Sequence, residues 1–536
     1  MDKATALSAR PLDTDRTRLI AGLEATHDVD IVIIGGGATG LGIALDASLR
    51  GLSVVLLESH DFAGGTSSRA TKLVHGGVRY LAQGNLALVR EALHERCALL
   101  HNAPHLAQAL AFVVPGYQAW KVPFYGLGLK VYDALSGSDS LGPTRWLGRA
   151  NTLASLPGVR PQGLWGGVRY WDGQFDDARL ALALARTAAA QGAQLLNYCP
   201  VVGLLHEGGR IGGVQWRDAA GAAQGTVRSR CVVNATGVWV DQVRHLGAQG
   251  SGAQVRSLVE PSQGVHVVVD RGFMPGDQAL LVPRTSDGRV LFAVPWLGRL
   301  ILGTTDTPRE DLPRDPLPFQ HEIDFILSEA ARVLARAPTR DDIRSLWVGL
   351  RPLVRPLEAD GEPTQSISRE HTVEISPAGL VTVTGGKWTT YRAMAEDVLA
   401  RCVQAAFFDR LPPCRTADFR LLGAVEPPHV SLHLEPGPHL YGAEAPFLAE
   451  LPGADAMLGL GLSEAMVRFA VRHEYARTVE DVLARRHRML FLDAALAYAA
   501  APRVAQILEE ETGIAQQPTA LRELAIQYGA RDVAVP

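Results

Sequence analysis

The sequence predicts an α/β protein: a parallel-sheet unit interleaved with an antiparallel-sheet unit, and an all-α domain at the C-terminal end. Three observations carry that prediction. From Val29 to Glu58 an apolar run, a glycine turn, a small-residue helix pattern and a second apolar run follow in order. From Val201 to Asp315 short apolar runs alternate with glycine-bearing turns, as antiparallel strands do. Beyond residue 439 the apolar spacing is helical almost throughout.

The chain has 536 residues, enough for two or three domains with substantial cores. Its 47% hydrophobic and 20% charged content is that of an ordinary soluble protein, and a net charge of −4 gives no reason to expect nucleic-acid binding. The five cysteines are scattered without a C-x-x-C pair, which argues for reduced thiols in a cytosolic compartment and against a metal site. No apolar run reaches the roughly 18 residues of a membrane span. Only five of the 52 Lys and Arg residues are lysines. Lys72 and Lys387 lie in glycine- and threonine-rich segments, which makes them site candidates.

Residues 1–27 read as an extension outside the fold. The run Ile31 to Ile34 then enters a turn with Gly35, Gly37 and Gly40 at G-x-G-x-x-G spacing, and the second apolar run ends at Glu58. That is a complete Rossmann-like unit. Gly35 permits the turn, Gly37 lets a pyrophosphate approach the backbone, and Gly40 lets helix and strand pack closely. Glu58 can accept from a ribose diol, and its charge disfavours a 2′-phosphate. The motif says dinucleotide without separating one from another.

The loop after Glu58 clusters hydroxyls (Thr66, Ser67, Ser68, Thr71) with Lys72, a set suited to a diphosphate and an aromatic ring. His75, Gly76 and Gly77 let backbone approach a ligand, and Arg79 and Tyr80 present a cation and a phenol. Leu86 to Leu106 reads as an amphipathic helix, 115–170 as an irregular excursion with short elements, and Asp176 to Gly192 as a helix with an acidic start and a glycine stop. Strands at 194–198, 201–206, 211–216 and 225–228 precede a buried strand ending in Ala235-Thr236-Gly237, where a dinucleotide-binding sheet would return to its ligand. Strands fill 261–315, and helices follow at 318–335 and 391–407. Residues 409–438 read as a Pro-rich linker and 439–536 as the helical domain.

Taken together, IIGGGATGLGIALDA, TSSRATKLVHGGVRYL, VNATGVWVD, GTTDTP, GLRPL and GGKWTTYR resemble the FAD-dependent glycerol-3-phosphate dehydrogenases, flavoproteins with the D-amino-acid-oxidase fold. The resemblance spans Asp30 to Arg392, and VRHEYARTVEDVLARRHRMLFLDA resembles the family's helical cap. It implies an FAD-binding domain interleaved with a substrate domain over 28–408. The pyrophosphate would lie on Gly35, Gly37 and Gly40, and the ribose on Glu58. Thr66, Ser67, Ser68 and Lys72 would face the diphosphate and ribityl chain, with His75, Gly76 and Gly77 under the flavin. Thr236, Gly237, Asp306, Gly385, Gly386 and Lys387 would approach the flavin from the other strands. Arg79, Arg351 and Lys387 would hold the substrate phosphate, with Tyr80 and Thr390 as hydroxyl partners. His266, and after it His75, is the candidate base.

The implied reaction takes sn-glycerol 3-phosphate to dihydroxyacetone phosphate with FAD as hydride acceptor and a quinone beyond it. It implies docking on the inner face of the cytoplasmic membrane and allows a homodimer. Trp120, Phe124, Tyr125, Leu127, Leu129 and Tyr132 around Lys121 and Lys130 are the candidate interfacial patch. Two further readings stand beside it: an oxidase on the same scaffold, acting on glycerol phosphate or an amino acid, and a non-catalytic flavin protein. Three cations suit a phosphate better than a carboxylate, and the intact HGGVRYL and GGKWTTYR segments argue against lost chemistry.

Overall fold

The computed structural model describes residues 10–77, 85–249, 255–354, 371–427, 429–517 and 519–529. Two sheets organise them. In the first, Asp28–Ile34 pairs in parallel with Val54–Leu57 on one side and Gln224–Asn234 on the other. Gln194–Leu196 and Leu380–Gly385 extend it in the same sense. The strands read as continuous apolar runs because helices cover both faces: Ile31, Val32, Ile33, Val55 and Leu56 are fully buried. Helices Ala38–Leu49, Asp177–Ala190 and Tyr391–Gln404 pack together over one face. The meander Val201–Glu207, Arg210–Arg217, Gln224–Asn234 is antiparallel, as its glycine turns predict.

The second sheet, ten-stranded among the described residues, is mostly antiparallel and supplies the other wall of the molecule. Its spine is Val259–Asp270, flanked by Arg299–Gly303 and Ser345–Val354. The chain crosses between the sheets repeatedly, which is the interleaving expected from the sequence.

Three regions differ from the sequence reading. Arg16–Glu24 is not outside the fold: it forms a helix capped by Asp15, with Leu23 buried and Arg16 paired to Asp218 at 2.7 Å. Lys121–Ser136 is a helix of 16 residues in the stretch read as irregular. Pro123 is tolerated there because it falls in the first turn, whose N–H groups have no intrahelical partner. Gly166–Phe175 is a ten-residue strand paired along its whole length with Ala107–Gly116. It is buried on both faces, so no alternation betrayed it.

The C-terminal helices Glu464–His473, Ala494–Thr512 and Thr519–Gln527 follow a small hairpin, Met457–Gly459 with Leu462–Ser463. Their core is continuous with that of the second sheet. Phe491 packs between Trp347 and Tyr528 at ring separations of 5.1 and 5.2 Å. Leu346 N–H donates to the Tyr528 carbonyl, and Ala494 N–H to that of Arg344. Among the described residues no helix is long and apolar enough to cross a membrane.

Candidate functional site

A cavity of about 560 Å³ opens where the parallel strands end and the second sheet faces them. That is where a doubly wound sheet binds ligands. One end lies over Glu58 and His60. The cavity then passes Gly35, Gly37 and Ser67 and reaches His75, His266, Arg351 and Lys387.

The Glu58 end is made mainly of main chain. Gly35 has φ +110°, and a Cβ on it would meet the Ala235 carbonyl oxygen at 2.6 Å. A Cβ on Gly40 would sit 2.0 Å from the Gly35 carbonyl oxygen, so helix Ala38–Leu49 packs on its strand only because residue 40 has no side chain. The N-cap of that helix, Gly37, offers no capping side chain, and Ser67 Oγ accepts from the Ala38 N–H at 2.9 Å. The helix terminus therefore keeps N–H donors and a partial positive charge for an anion. The Glu58 carboxylate accepts from the backbone of Gly36 and His60 at 2.6 and 2.9 Å, which fixes it at the strand end. Backbone donors for a diphosphate beside a carboxylate for a ribose diol form a donor set that fits a dinucleotide such as FAD.

At the other end the chemistry is in side chains. His266, on Val259–Asp270, is buried, and its ring stacks on Trp347 at 5.1 Å and 16°. Its Nε2 shares a 2.9 Å hydrogen bond with Thr71 Oγ1, while Nδ1 has no hydrogen-bond partner among the described residues. Burial, then Arg351 and Lys72, hold its proton affinity well below the ordinary histidine value, so the ring is neutral. Arg351, from the neighbouring strand Ser345–Val354, donates to the Thr305 carbonyl at 2.9 Å and pairs with Asp306 at 3.1 Å. Lys387 arrives from the glycine turn after Leu380–Gly385.

Of the residues singled out in the sequence, Gly35, Gly37, Glu58, Thr66, Ser67, His75, Thr236, Gly237, His266, Arg351, Gly385, Gly386 and Lys387 line this cavity. Others do not. Lys72 turns under the loop, fully buried, with its ammonium on the Ser68 carbonyl at 2.8 Å and on Asp177 at 2.7 Å. Burial and the Arg488 guanidinium pull it down to about 7 against the pull of Asp177. Its place is structural because a left-handed residue there (φ 65°) aims the side chain into the core. Asp306 stands behind Arg351 and binds Ser262 as well, so it orients the guanidinium instead of lining the cavity.

Ser68 is buried and contributes its carbonyl, and Gly76 is packed under Tyr132 and Asp172 with Gly77 beside it. Thr390 is buried, its hydroxyl donating to the Lys387 carbonyl at 3.3 Å. Gly40 acts through packing alone. Arg79 and Tyr80 fall outside the described residues. Sequence reasoning missed Trp347, which supports His266, and Trp388, whose indole donates to the Ser67 carbonyl at 2.8 Å. Trp347, in a buried strand, reads as core, whereas Trp388 lies inside GGKWTTYR, the signal that could have found it.

The model of the FAD-dependent oxidoreductase (DAO) family matches residues 30–398, and that of the C-terminal domain of alpha-glycerophosphate oxidase matches residues 414–519. The mitochondrial glycerol-3-phosphate dehydrogenase of Homo sapiens is 40% identical over 527 residues, covering 91% of this chain and 71% of the human one. The Saccharomyces cerevisiae protein of the same name is 36% identical over 580 residues, covering 94% and 89%. Among solved structures, the glycerol-3-phosphate dehydrogenase from Bacillus halodurans complexed with FAD superposes with a TM-score of 0.76 at 28% identity, over 97% of this chain and 99% of that one. The chain belongs to the FAD-dependent glycerol-3-phosphate dehydrogenase family, and FAD is its cofactor.

Proposed function

We propose that the protein oxidises sn-glycerol 3-phosphate to dihydroxyacetone phosphate and passes the electrons to a quinone. One observation carries this reading: Arg351 and Lys387 share one end of the cavity with His266, while its other end is a dinucleotide cradle. Bound FAD supplies a two-electron acceptor for the hydride leaving C2. The rest falls to this chain's own residues. Gly35 and Gly37 hold the pyrophosphate, Glu58 the ribose, and Thr236, Gly237, Gly385 and Gly386 border the ring end.

Arg351, a planar fork already oriented by Asp306, and Lys387, a compact ammonium, grip the phosphate dianion, a charge that one cation holds poorly. His266 takes the C2 hydroxyl proton at Nε2, the nitrogen that shares a hydrogen bond with Thr71, itself on the cavity wall. A histidine with depressed proton affinity is a weak base in the free protein. Arrival of the phosphate opposite Arg351 offsets one cause of that depression, so His266 gains basicity when substrate is present. His75, half-buried on the same cavity, is the alternative base.

For the membrane side, helix Lys121–Ser136 supports peripheral attachment at the inner face of the cytoplasmic membrane. Trp120, Phe124 and Leu127 are 63, 64 and 68% exposed beside Lys121 and Lys130, whereas Leu129 and Tyr132 of the expected patch are core. Apolar side chains flanked by ammonium groups suit an anionic bilayer surface.

The deciding experiment is anaerobic stopped-flow bleaching of the bound flavin by glycerol 3-phosphate, with glycerol and a D-amino acid as controls. Bleaching by the phosphate ester alone is expected, followed by reoxidation by a soluble quinone faster than by oxygen. Faster reoxidation by oxygen would make the protein an oxidase. Absence of bleaching by glycerol 3-phosphate would overturn the substrate assignment.

A further inference from the structure

The cavity wall between Asp61 and Lys72 is a loop with little internal secondary structure, and residues 63–67 and 69–71 of it line the cavity. Neighbouring strands and turns hold its middle, through the Ala63 N–H on the Gly36 carbonyl, Thr66 Oγ1 on the Leu350 carbonyl and the Trp388 indole on the Ser67 carbonyl, and its two ends are held largely from the C-terminal domain. Its first end, Asp61, is fully buried and gripped by two guanidiniums of the C-terminal domain: Arg485 through Nε, and Arg486 through both terminal nitrogens. Asn197 donates to the same carboxylate at 3.0 Å. Its second end, the Ser68 carbonyl, accepts from Arg488 Nη2 at 2.7 Å and from Lys72 at 2.8 Å. Arg488 and Lys72 also share Asp177, which in turn accepts the Ala70 N–H at 2.9 Å.

The three arginines come from one short stretch, a π-helical turn Asp481–Arg486 followed by Arg488 in the left-handed region at φ 74°. Each is buried and each is held from behind: Arg485 by Asp481 and Glu480, Arg486 by the Glu474 carbonyl, Arg488 by the Ala484 carbonyl. Their geometry is therefore set within the C-terminal domain before they meet the loop. Docking of the two domains alone does not require this. Arg186 and Glu444 already join them through a buried fork-to-fork pair at 2.6 Å that touches no residue of the loop.

We propose that the C-terminal helical domain is the holdfast of the cofactor: Arg485, Arg486 and Arg488 pin both ends of the 61–72 loop, and FAD retention depends on that grip. The inference rests on the reading that this cavity takes FAD. It gives the C-terminal domain a task beyond packing, one that acts through the loop, so the three arginines are positioning residues. Loosening either end lets the hydroxyl face of Thr66 and Ser67 move away from the glycine turn, and bound FAD escapes through the gap.

The test follows FAD release from full-length holoenzyme after dilution, by the rise in flavin fluorescence, with thermal unfolding measured in parallel. Arg488→Met and Asp61→Asn are expected to release FAD about tenfold faster or more: the first takes the guanidinium from the Ser68 carbonyl and leaves Asp177 to Lys72 alone, and the second leaves the buried Arg486 charge without its carboxylate. Arg488→Lys, which keeps the charge and loses the fork, is expected about threefold faster, and it is the variant to rely on if the others do not fold. In Arg488→Lys, amide exchange at 61–72 should also rise relative to the rest of the FAD-binding sheet. Arg186→Met should lower the melting temperature as much as Arg488→Met and leave FAD release within about twofold of the parent.

Release by Arg488→Met and Arg488→Lys at the parent rate would overturn the proposal. So would equal release from Arg186→Met at an equal loss of stability, which would reduce the contact to ordinary domain docking. A parent protein that retains no FAD would instead overturn the reading of the cavity, and the two failures are distinguishable.

Discussion

At the Glu58 end the cavity wall is mostly main chain, carried on the edge of one parallel sheet within thirty residues of sequence. At the Arg351 end it is side chains brought from four distant segments: Thr71 from the loop, His266 and Arg351 from adjacent antiparallel strands, Lys387 from a later turn. The first end is set by what glycine leaves out, the second by where strand register puts Ser262 opposite Arg351 and His266 opposite Trp347. A wall of backbone tolerates no added atom, and a wall of side chains tolerates no lost one. Damage at the first end should therefore remove the cofactor, and damage at the second should spare it and remove turnover.

The largest effect that separates the two ends is expected from Gly40→Val. Its side chain would meet main-chain oxygen at a distance no packing accommodates, so the purified protein should lack yellow flavin absorbance altogether. A yellow Gly40→Val protein would break the comparison.

Next comes His266→Ala, which should keep FAD and slow flavin reduction by about 10²–10⁴-fold, the usual worth of a general base. His75→Ala should do much less, and the reverse order would exchange their roles. The pH profile sharpens the assignment. Because the folded protein lowers the proton affinity of His266, second-order flavin reduction should stay level as pH falls through 6.5 and decline only below it. At saturating substrate the acid limb should move to higher pH.

Arg351→Ala should raise the KM for glycerol 3-phosphate about 100-fold with flavin content unchanged. Arg351→Lys should fall between, since a point charge restores attraction without the fork.

The smallest effect concerns histidines that do no chemistry. His105 and His487, at the seam between the FAD-binding and C-terminal domains, are pushed down to about 3, first by burial and then by the Arg179 guanidinium. The unfolded chain would protonate them near 6.5, so below that pH it binds more protons than the folded one. Stability should decline as pH falls from 6.5 toward 3, and a urea titration series would read it. His105→Gln and His487→Gln should flatten that decline while leaving flavin reduction alone.

The same contrast explains what the sequence made legible. Gly35, Gly37, Gly40 and Glu58 could be read from spacing alone, because a backbone site needs particular residues at particular intervals. Lys387 stood out as a rare lysine in a glycine-rich segment, but His266 and Arg351 needed a family resemblance, since nothing local says that residues 266 and 71 meet. Lys72 was misplaced because a rare lysine in a polar loop looks like a ligand. Only its left-handed backbone, which no pattern reveals, turns it inward to Asp177. The helix Lys121–Ser136 and the strand Gly166–Phe175 were missed for lack of a clean period, the one interrupted by Pro123 and Gly126, the other apolar on both faces.

The packing of Phe491 and Tyr528 beneath Trp347 has a consequence for synthesis. Trp347 carries His266, so the floor of the substrate end is covered only when residues near 528 leave the ribosome. The loop beside the glycine cradle meets its partners Arg485 to Arg488 only after some four hundred further residues have been made. A nascent chain therefore owns the glycine signature of its cofactor site long before it owns the walls that face it, and the proposed grip on the loop would come only once Arg488 has been made.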